Sequence, residues 1–293
     1  MTITRQASMA CNGYGRSCVI TRRANFSASH LYWLPELSDE ENGTRFGLCS
    51  LRPGHGHNYE LIVAVGGDLD CNGMVLNLSE VKTAIRSEVT DQLDFRFLND
   101  CWADFSVAKP FGRLPTTEAI TIAIWQRLIP LLPLRSLRLY EQSNLWADYL
   151  GKAMEVCLSI RTHFSAAHRL ARIDLSQDQN ENIYGKCARI HGHGHNYFLE
   201  ITVRGNMNTR TGMVCDLAKF HKLVQDIIVE PFDHTFLNKD ILHFSTCVPT
   251  AENIALHIAD LLKSPILDLG VDLYKVHLQE SPNNAAIVYV EKD

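Results

Sequence analysis

One pattern is written twice in this chain, and it constrains the fold more than any other feature. Phe26-Ser27-Ala28-Ser29-His30, Cys49 and Gly54-His55-Gly56-His57-Asn58-Tyr59 return as Phe164-Ser165-Ala166-Ala167-His168, Cys187 and Gly192-His193-Gly194-His195-Asn196-Tyr197. The offset is constant: 168 − 30, 187 − 49 and 195 − 57 all equal 138. Two copies at one spacing are two copies of one supersecondary unit, each with a histidine trio and a cysteine. Further matches follow at 139: Gly73-Met74-Val75 with Gly212-Met213-Val214, Asp94 with Asp233, and Glu141 with Glu280. Pro115-Thr116 matches Pro249-Thr250 after a short length change. Length alone leaves 293 residues as one large domain or two ordinary ones, and the repeat decides for two. The expected division is a leader over 1–18, a first unit over 19–148 and a second over 153–293, with the boundary near 147–152.

A net charge of −5 gives no basic surface for nucleic acid, and 21% charged residues with 46% hydrophobic ones describe a globular chain. No apolar run reaches the eighteen residues of a membrane span. The leader has no apolar core of signal-peptide type and reads as flexible. Nine cysteines make an odd count with no CxxC pair. Without a secretory signal they read as reduced thiols in a cytoplasmic protein.

Each copy reads alike. Alternation predicts first strands over 19–29 and 155–166, and second strands over 58–66 and 196–204. Helical spacing covers 78–93 and 217–229. Second helices over 116–132 and 250–262 open with Pro-Thr-x-Glu, a cap followed by a first-turn carboxylate. Late strands cover 135–141 and 274–280, and 286–291 closes the chain as another. The order strand, strand, helix, helix, strand, strand predicts an α+β unit with an antiparallel sheet.

The histidines have the pattern of a metal site. His193 and His195, at i and i+2 on a strand, point to one face. His168 ends the preceding strand, which can pair antiparallel and bring it alongside. Three imidazoles without a fourth protein ligand leave a position open, as in catalytic zinc sites. The same holds for His30, His55 and His57. Histidines that bind nothing are the bland alternative, and fixed spacing in two copies argues against it. His191 is matched by Pro53 and is expected outside the ligand set.

FSAAH, YGKC, GHGHNY, TGMV, FDH, PTAEN and the final QESPNN together resemble the 6-pyruvoyl-tetrahydropterin synthase family, in tandem, from about residue 20 to 293. The resemblance implies the tunnelling fold (T-fold): a four-stranded antiparallel sheet with two helices per unit, three units closing into a barrel, two barrels stacking, and active sites between subunits. Six units would then come from three chains of a homo-oligomer. It also implies a Zn2+ enzyme that eliminates triphosphate from 7,8-dihydroneopterin triphosphate, a small-molecule pterin substrate, to give 6-pyruvoyl-tetrahydropterin.

Residue by residue, the resemblance makes Cys187 the base that takes a proton from carbon, with Asp233-His234 activating it and relaying protons. Glu280 would grip the amino-pyrimidinone edge of the pterin, and Thr250 and Glu252 match further ring-side positions. Each has a structural rival. The rival for Cys187 is a buried apolar thiol, for Asp233-His234 a turn and for Glu280 a solvated strand end, each the weaker reading, while Glu252 reads equally as a capping carboxylate. Arg172, Lys186 and Arg189 are nearby cations, and the sequence does not single out which residues hold the triphosphate.

The copies are unequal. The first keeps His30, His55, His57, Cys49, Asp94 and Glu141 but reads Phe95 where the second has His234, and phenylalanine carries no proton. The second copy is therefore expected to be the main catalyst, unless a histidine from the other copy completes the first site. Two rivals stand beside this reading. One is the related 6-carboxy-tetrahydropterin synthase of queuosine synthesis. Its cysteine lies four residues before HGH; here 193 − 187 and 55 − 49 are both 6, although 191 − 187 = 4. The other is a non-catalytic pterin-binding protein with structural zinc.

Overall fold

The computed structural model describes residues 17–109 and 112–291. Most of the expected leader lies outside them. Its last two residues, Ser17 and Cys18, already belong to the first strand. The chain forms two compact units. The first runs through Pro115 and takes in Ile120–Leu139 and Tyr149–Gly151. The second comprises Thr116–Ala119, Tyr140–Asp148 and Lys152 onward.

In the first unit β1 (Ser17–His30) pairs antiparallel with β2 (His55–Asp68) along its whole length, from Ser17↔Asp68 to His30↔His55. β3 (Arg96–Phe97) adds parallel to Ala28 and Ser29. β4 (Leu134–Gln142) lies beside β2 and passes into the second unit at Tyr140. Leu61, Val63 and Val65 alternate inward along β2 and are fully buried. The helix Leu78–Ile85 supplies Val81 and Ile85 to the same core, with Val89 and Leu93 following at i+4. Each such side chain contributes about 1.5–3 kcal/mol on burial.

The second unit repeats this plan. β6 (Glu155–His168) pairs with β7 (His193–Asn206) from Glu155↔Asn206 to His168↔His193. β9 (Asp272–Ser281) and β10 (Asn284–Tyr289) extend the antiparallel sheet, and β8 (Thr235–Phe236) pairs parallel with β6. On the other side of β6 lies β5 (Leu145–Tyr149), matched from Leu145↔Ile160 to Asp148↔Cys157. The expected boundary at 147–152 therefore begins inside a strand. Leu199, Ile201 and Val203 are buried, as are Phe220, Val224, Ile228 and Phe232, again an i, i+4 row. The sheets are open, and the four long antiparallel strands β6, β7, β9 and β10 with their helices are the α+β plan of the tunnelling fold.

Two details differ from the sequence expectation. The helices expected over 78–93 and 217–229 contain π turns, Arg86–Thr90 and Gln225–Val229, before a last helical turn. A π turn inserts a residue and re-aims the chain beyond it, often at a functional site. In addition, Ser38 and Ser176 open short helices, Asp39–Phe46 and Gln177–Tyr184, through capping boxes with Glu41 and Gln179.

Candidate metal centre and active site

Register builds the two triads. In β1–β2 the pair His30↔His55 closes the ladder, and His57 is two residues on, on the same face. In β6–β7 the pair is His168↔His193, with His195 two on. Gly54 (φ 111°) and Gly192 (φ 63°) turn the chain into these strands. A Cβ on either would sit 2.5 Å from the carbonyl oxygen of His30 or His168, so only glycine fits.

The nitrogens of each triad lie within 4.8 Å of one another. His30 Nε2 is 3.1 Å from His55 Nε2, and His168 Nε2 is 3.1 Å from His193 Nε2. Two imidazoles on one tetrahedral zinc, with bonds of 2.0–2.1 Å, hold their nitrogens about 3.3 Å apart. His30 Nδ1 donates to the Pro115 carbonyl at 3.0 Å, and His168 Nδ1 to that of Pro249 at 2.7 Å. A carbonyl accepts only, so the hydrogen sits on Nδ1 and the Nε2 lone pair faces the cluster. Burial, with repulsion from the neighbouring rings, pushes His30 down to about 3 and His168 to about 4. The rings are therefore neutral near pH 7, the state that binds a metal. His195 Nε2 is buried with no hydrogen-bond partner among the described residues. The donor set fits a metal ion. His191 is exposed and belongs to neither triad.

Glu280, on β9, reaches the second triad: Oε1 lies 3.6 Å from His168 Nε2 and 3.9 Å from His195 Nε2. Tyr197 packs edge-on to His168 and His195, and burial raises its hydroxyl, with Glu280 adding to the shift. Glu141 is placed differently. It is 7% exposed and accepts from Thr117 Oγ1 at 2.5 Å, and burial pushes it up to about 6. Ala251 stands at the position of Thr117 in the second copy, so Glu280 lacks that hydroxyl. Glu118, fully buried, accepts from the Val214 N–H at 3.0 Å. Sequence reasoning missed Thr117 and Glu118. Their signal was the Thr-Thr-Glu run at a helix start, which reads equally as capping. Thr250 does cap its helix, receiving the Asn253 N–H at 3.3 Å, while Glu252 is exposed in the first turn.

The π turn delivers Asp233 and His234. Asp233 Oδ1 accepts from Ser165 N at 2.7 Å, and Oδ2 holds His234 Nδ1 at 2.8 Å. These hydrogen bonds keep the Asp233 carboxyl below its ordinary value. His234 has φ 58° and its side chain is 84% exposed. Cys187 lies half-buried in the 3₁₀ turn Gly185–Ala188, and no hydrogen bond joins it to His234 among the described residues. Asp94 and Phe95 repeat the backbone arrangement: Asp94 Oδ1 accepts from Ser27 N at 2.8 Å, and Phe95 has φ 54°. The Phe95 ring is exposed and borders a cleft of about 430 Å³ with His57, Asn58 and Arg96. Cys49 occupies the matching turn Gly47–Ser50. Of the candidate cations, Arg172 is already paired with Asp174, Nε to Oδ1 at 3.0 Å.

Comparison with known proteins identifies the family. The family model described as 6-pyruvoyl tetrahydropterin synthase matches residues 19–152 and again 157–291. The 6-pyruvoyl tetrahydrobiopterin synthase of Pongo abelii is 42% identical over 137 residues, 47% of this chain and 93% of that protein. The Homo sapiens protein of that name is 41% identical over the same shares. The solved structure of Caenorhabditis elegans 6-pyruvoyl tetrahydropterin synthase is 38% identical, covers 47% of this chain and 96% of its own, and has a TM-score of 0.44. With the family model matched twice over nearly the whole length, the chain belongs to the 6-pyruvoyl tetrahydropterin synthase family of lyases, as two family units in tandem.

Proposed function

We propose that the chain is a zinc-dependent 6-pyruvoyl-tetrahydropterin synthase, eliminating triphosphate from 7,8-dihydroneopterin triphosphate. The observation that carries this is the paired triads, with Nε2 lone pairs converging and Nδ1 hydrogens held by Pro115 and Pro249. His168, His193 and His195 would hold zinc in the second copy, and His30, His55 and His57 in the first. Bound there, zinc supplies a Lewis acid for the side-chain oxygens of the substrate. Cys187, acting as the thiolate, takes the proton from carbon. Asp233 holds the His234 Nδ1 hydrogen, leaving Nε2 to pass protons. Glu280, within reach of the triad, accepts two hydrogen bonds from the pterin edge. The exposure of His234 supports a site completed at an interface, since the ring is free to meet a cysteine of another unit.

The six-residue spacing from cysteine to HGH in both copies, and the names of the relatives above 40% identity, favour the pyruvoyl product over the carboxy one. Incubation with dihydroneopterin triphosphate followed by mass spectrometry is expected to give pyruvoyl-tetrahydropterin. Carboxy-tetrahydropterin with acetaldehyde would overturn this reading. Chelation is expected to abolish turnover while leaving the chain folded, because each triad sits on a ladder closed by fourteen paired residues and not by the metal. Circular dichroism of the metal-free chain checks this, and unfolding on chelation would point to structural zinc.

The sheet edges support an assembly of several chains. β5 covers Cys157–Ile160 of β6, whereas the matching stretch of β1, Val19–Arg22, meets only β2 among the described strands. By the repeat, Leu145 corresponds to Asn284 (145 + 139) and Ile160 to Arg22 (160 − 138). The β10 of one copy would then cover the β1 of another, Asn284 opposite Arg22 and Ile287 opposite Val19, removing both edges. Native mass spectrometry is expected to show a homo-oligomer, three chains for six units, and a stable monomer would contradict it. The eight cysteines of the described residues are free thiols, which supports a cytoplasmic setting. No helix of the described residues is long and apolar enough to cross a membrane.

A further inference from the structure

His243 and His257 belong to neither triad. Their rings stack in parallel, centroids 4.0 Å apart and planes within 6°. Lone pairs in two parallel planes do not converge on one ion, so the pair is no metal site. His243 is exposed on the 3₁₀ turn Leu242–Ser245, and His257 is half-buried on the helix Ala251–Leu267. Phe232 and Phe244 close around His257 at 6.3 and 5.3 Å. The turn leads within a few residues to Pro249, whose carbonyl takes the Nδ1 hydrogen of His168. The stack thus fastens the segment that aims a triad histidine.

The first copy fastens the same joint with other chemistry. Ala123 stands where His257 does: 257 − 123 and 249 − 115 both equal 134. Arg127, one turn further along, reaches back over that position. It donates to the Ala123 carbonyl at 2.9 Å and to Asp104 Oδ2 at 2.8 Å, and lies 3.6 Å from the centroid of Trp102. Asp104 sits in the matching 3₁₀ turn, Ala103–Phe105. A guanidinium does not titrate near neutrality. The Pro115 carbonyl receives His30 Nδ1 just as Pro249 receives His168.

We propose that His243 and His257 are a positioning pair that lets acid loosen the 237–250 segment, and with it the Pro249–His168 contact, in the second copy alone. Neutral imidazoles stack favourably, and protonating both sets like charges face to face in a half-buried place. The charges that reach His257 are His243 from the turn and Asp260 from its own helix, while the Glu230–Phe232 turn presents the Phe232 ring. Burial holds His257 below its ordinary value, His243 adds to this and Asp260 opposes it. A histidine held low binds its proton more readily once released, so the contribution of the stack is present above about pH 6.5 and is lost as pH falls below it. Asn253 Nδ2 donates to the Val248 carbonyl at 2.9 Å and Thr250 caps the helix, which ties the end of this segment to the helix that carries His257.

Hydrogen exchange of the full metal-free chain at pH 7.5 and 5.5, corrected for intrinsic rates, tests this. Protection of peptide 237–250 is expected to fall at least roughly fivefold at pH 5.5, while the first-copy peptide 98–109 changes less than about twofold. His243→Phe with His257→Phe keeps two stacked rings without the charge and should abolish the acid response. His243→Gln, at an exposed position, should weaken it even if the double variant folds poorly. An equal acid response in both peptides, or one that survives in His243→Gln and the double variant, would overturn the proposal. The coupling to His168 rests on the zinc reading. With zinc restored, the second triad alone (in His30→Ala/His55→Ala) should release metal at higher pH than the first alone (in His168→Ala/His193→Ala). Equal release beside unequal exchange would refute that coupling while leaving the loosening established.

Discussion

Cys187→Ala is expected to lower kcat/KM by about 10²–10⁴-fold, the range for removal of a positioned general base. Cys49→Ala is expected to leave most of the turnover. The chain carries two cysteines in matching turns but a single Asp–His pair, Asp233 and His234, bonded at 2.8 Å. Phe95 occupies the equivalent backbone position, with φ 54° against 58° for His234, and its N–H reaches the Ser27 carbonyl as that of His234 reaches Ser165, both at 2.6 Å. Phe95→His therefore needs no backbone change and is expected to raise turnover per chain about twofold, by completing a second site. Steady-state kinetics of the three variants, at equal zinc content, decide the matter. A larger loss in Cys49→Ala than in Cys187→Ala would show that His234 serves the first-copy cysteine.

Above pH 7, Glu118→Gln is expected to stabilise the chain by about 3 kcal/mol relative to its effect at pH 4.5. Burial pushes the Glu118 carboxyl from 4.5 up to about 7, and Glu141 adds to this; the Val214 N–H and the Thr116 hydroxyl pull the other way. A carboxyl raised in the folded state keeps a proton that the unfolded chain gives up. Its contribution is complete below about pH 4.5, falls as pH rises to about 7, and is flat beyond. Glutamine keeps the oxygen that accepts from Val214 N and has no proton to lose. His30 and His168 have the opposite sign, since their folded values are lowered and their contribution is lost as pH falls. Hence the quantity to measure is the difference in urea unfolding free energy between variant and parent at pH 4.5 and pH 8. A difference that changes by less than about 1 kcal/mol would count against a buried, proton-holding Glu118.

The triads were legible because a strand has period two. HxH beside a strand-ending histidine can hardly fold without bringing three imidazoles together, and a fixed offset between copies made chance improbable. The core helices were legible for the same kind of reason, through rows such as Phe220, Val224, Ile228 and Phe232. The π turns were not, because an inserted residue leaves helical spacing intact on both sides of it. Glu118 was read as a first-turn capping carboxylate, and only the fold brings Val214 to it.

The sequence by itself determined the duplication, the two histidine trios, the family and the inequality of Phe95 and His234, all of which depend on residue identity and spacing along the chain. The tertiary structure decided which nitrogen of His30 and His168 faces the histidine cluster, through carbonyls 85 and 81 residues away. It also separated Glu280, beside its triad, from Glu141, buried against Thr117. Tautomers and carboxyl protonation are set by burial and by partners distant in sequence, and those exist only once the chain has folded.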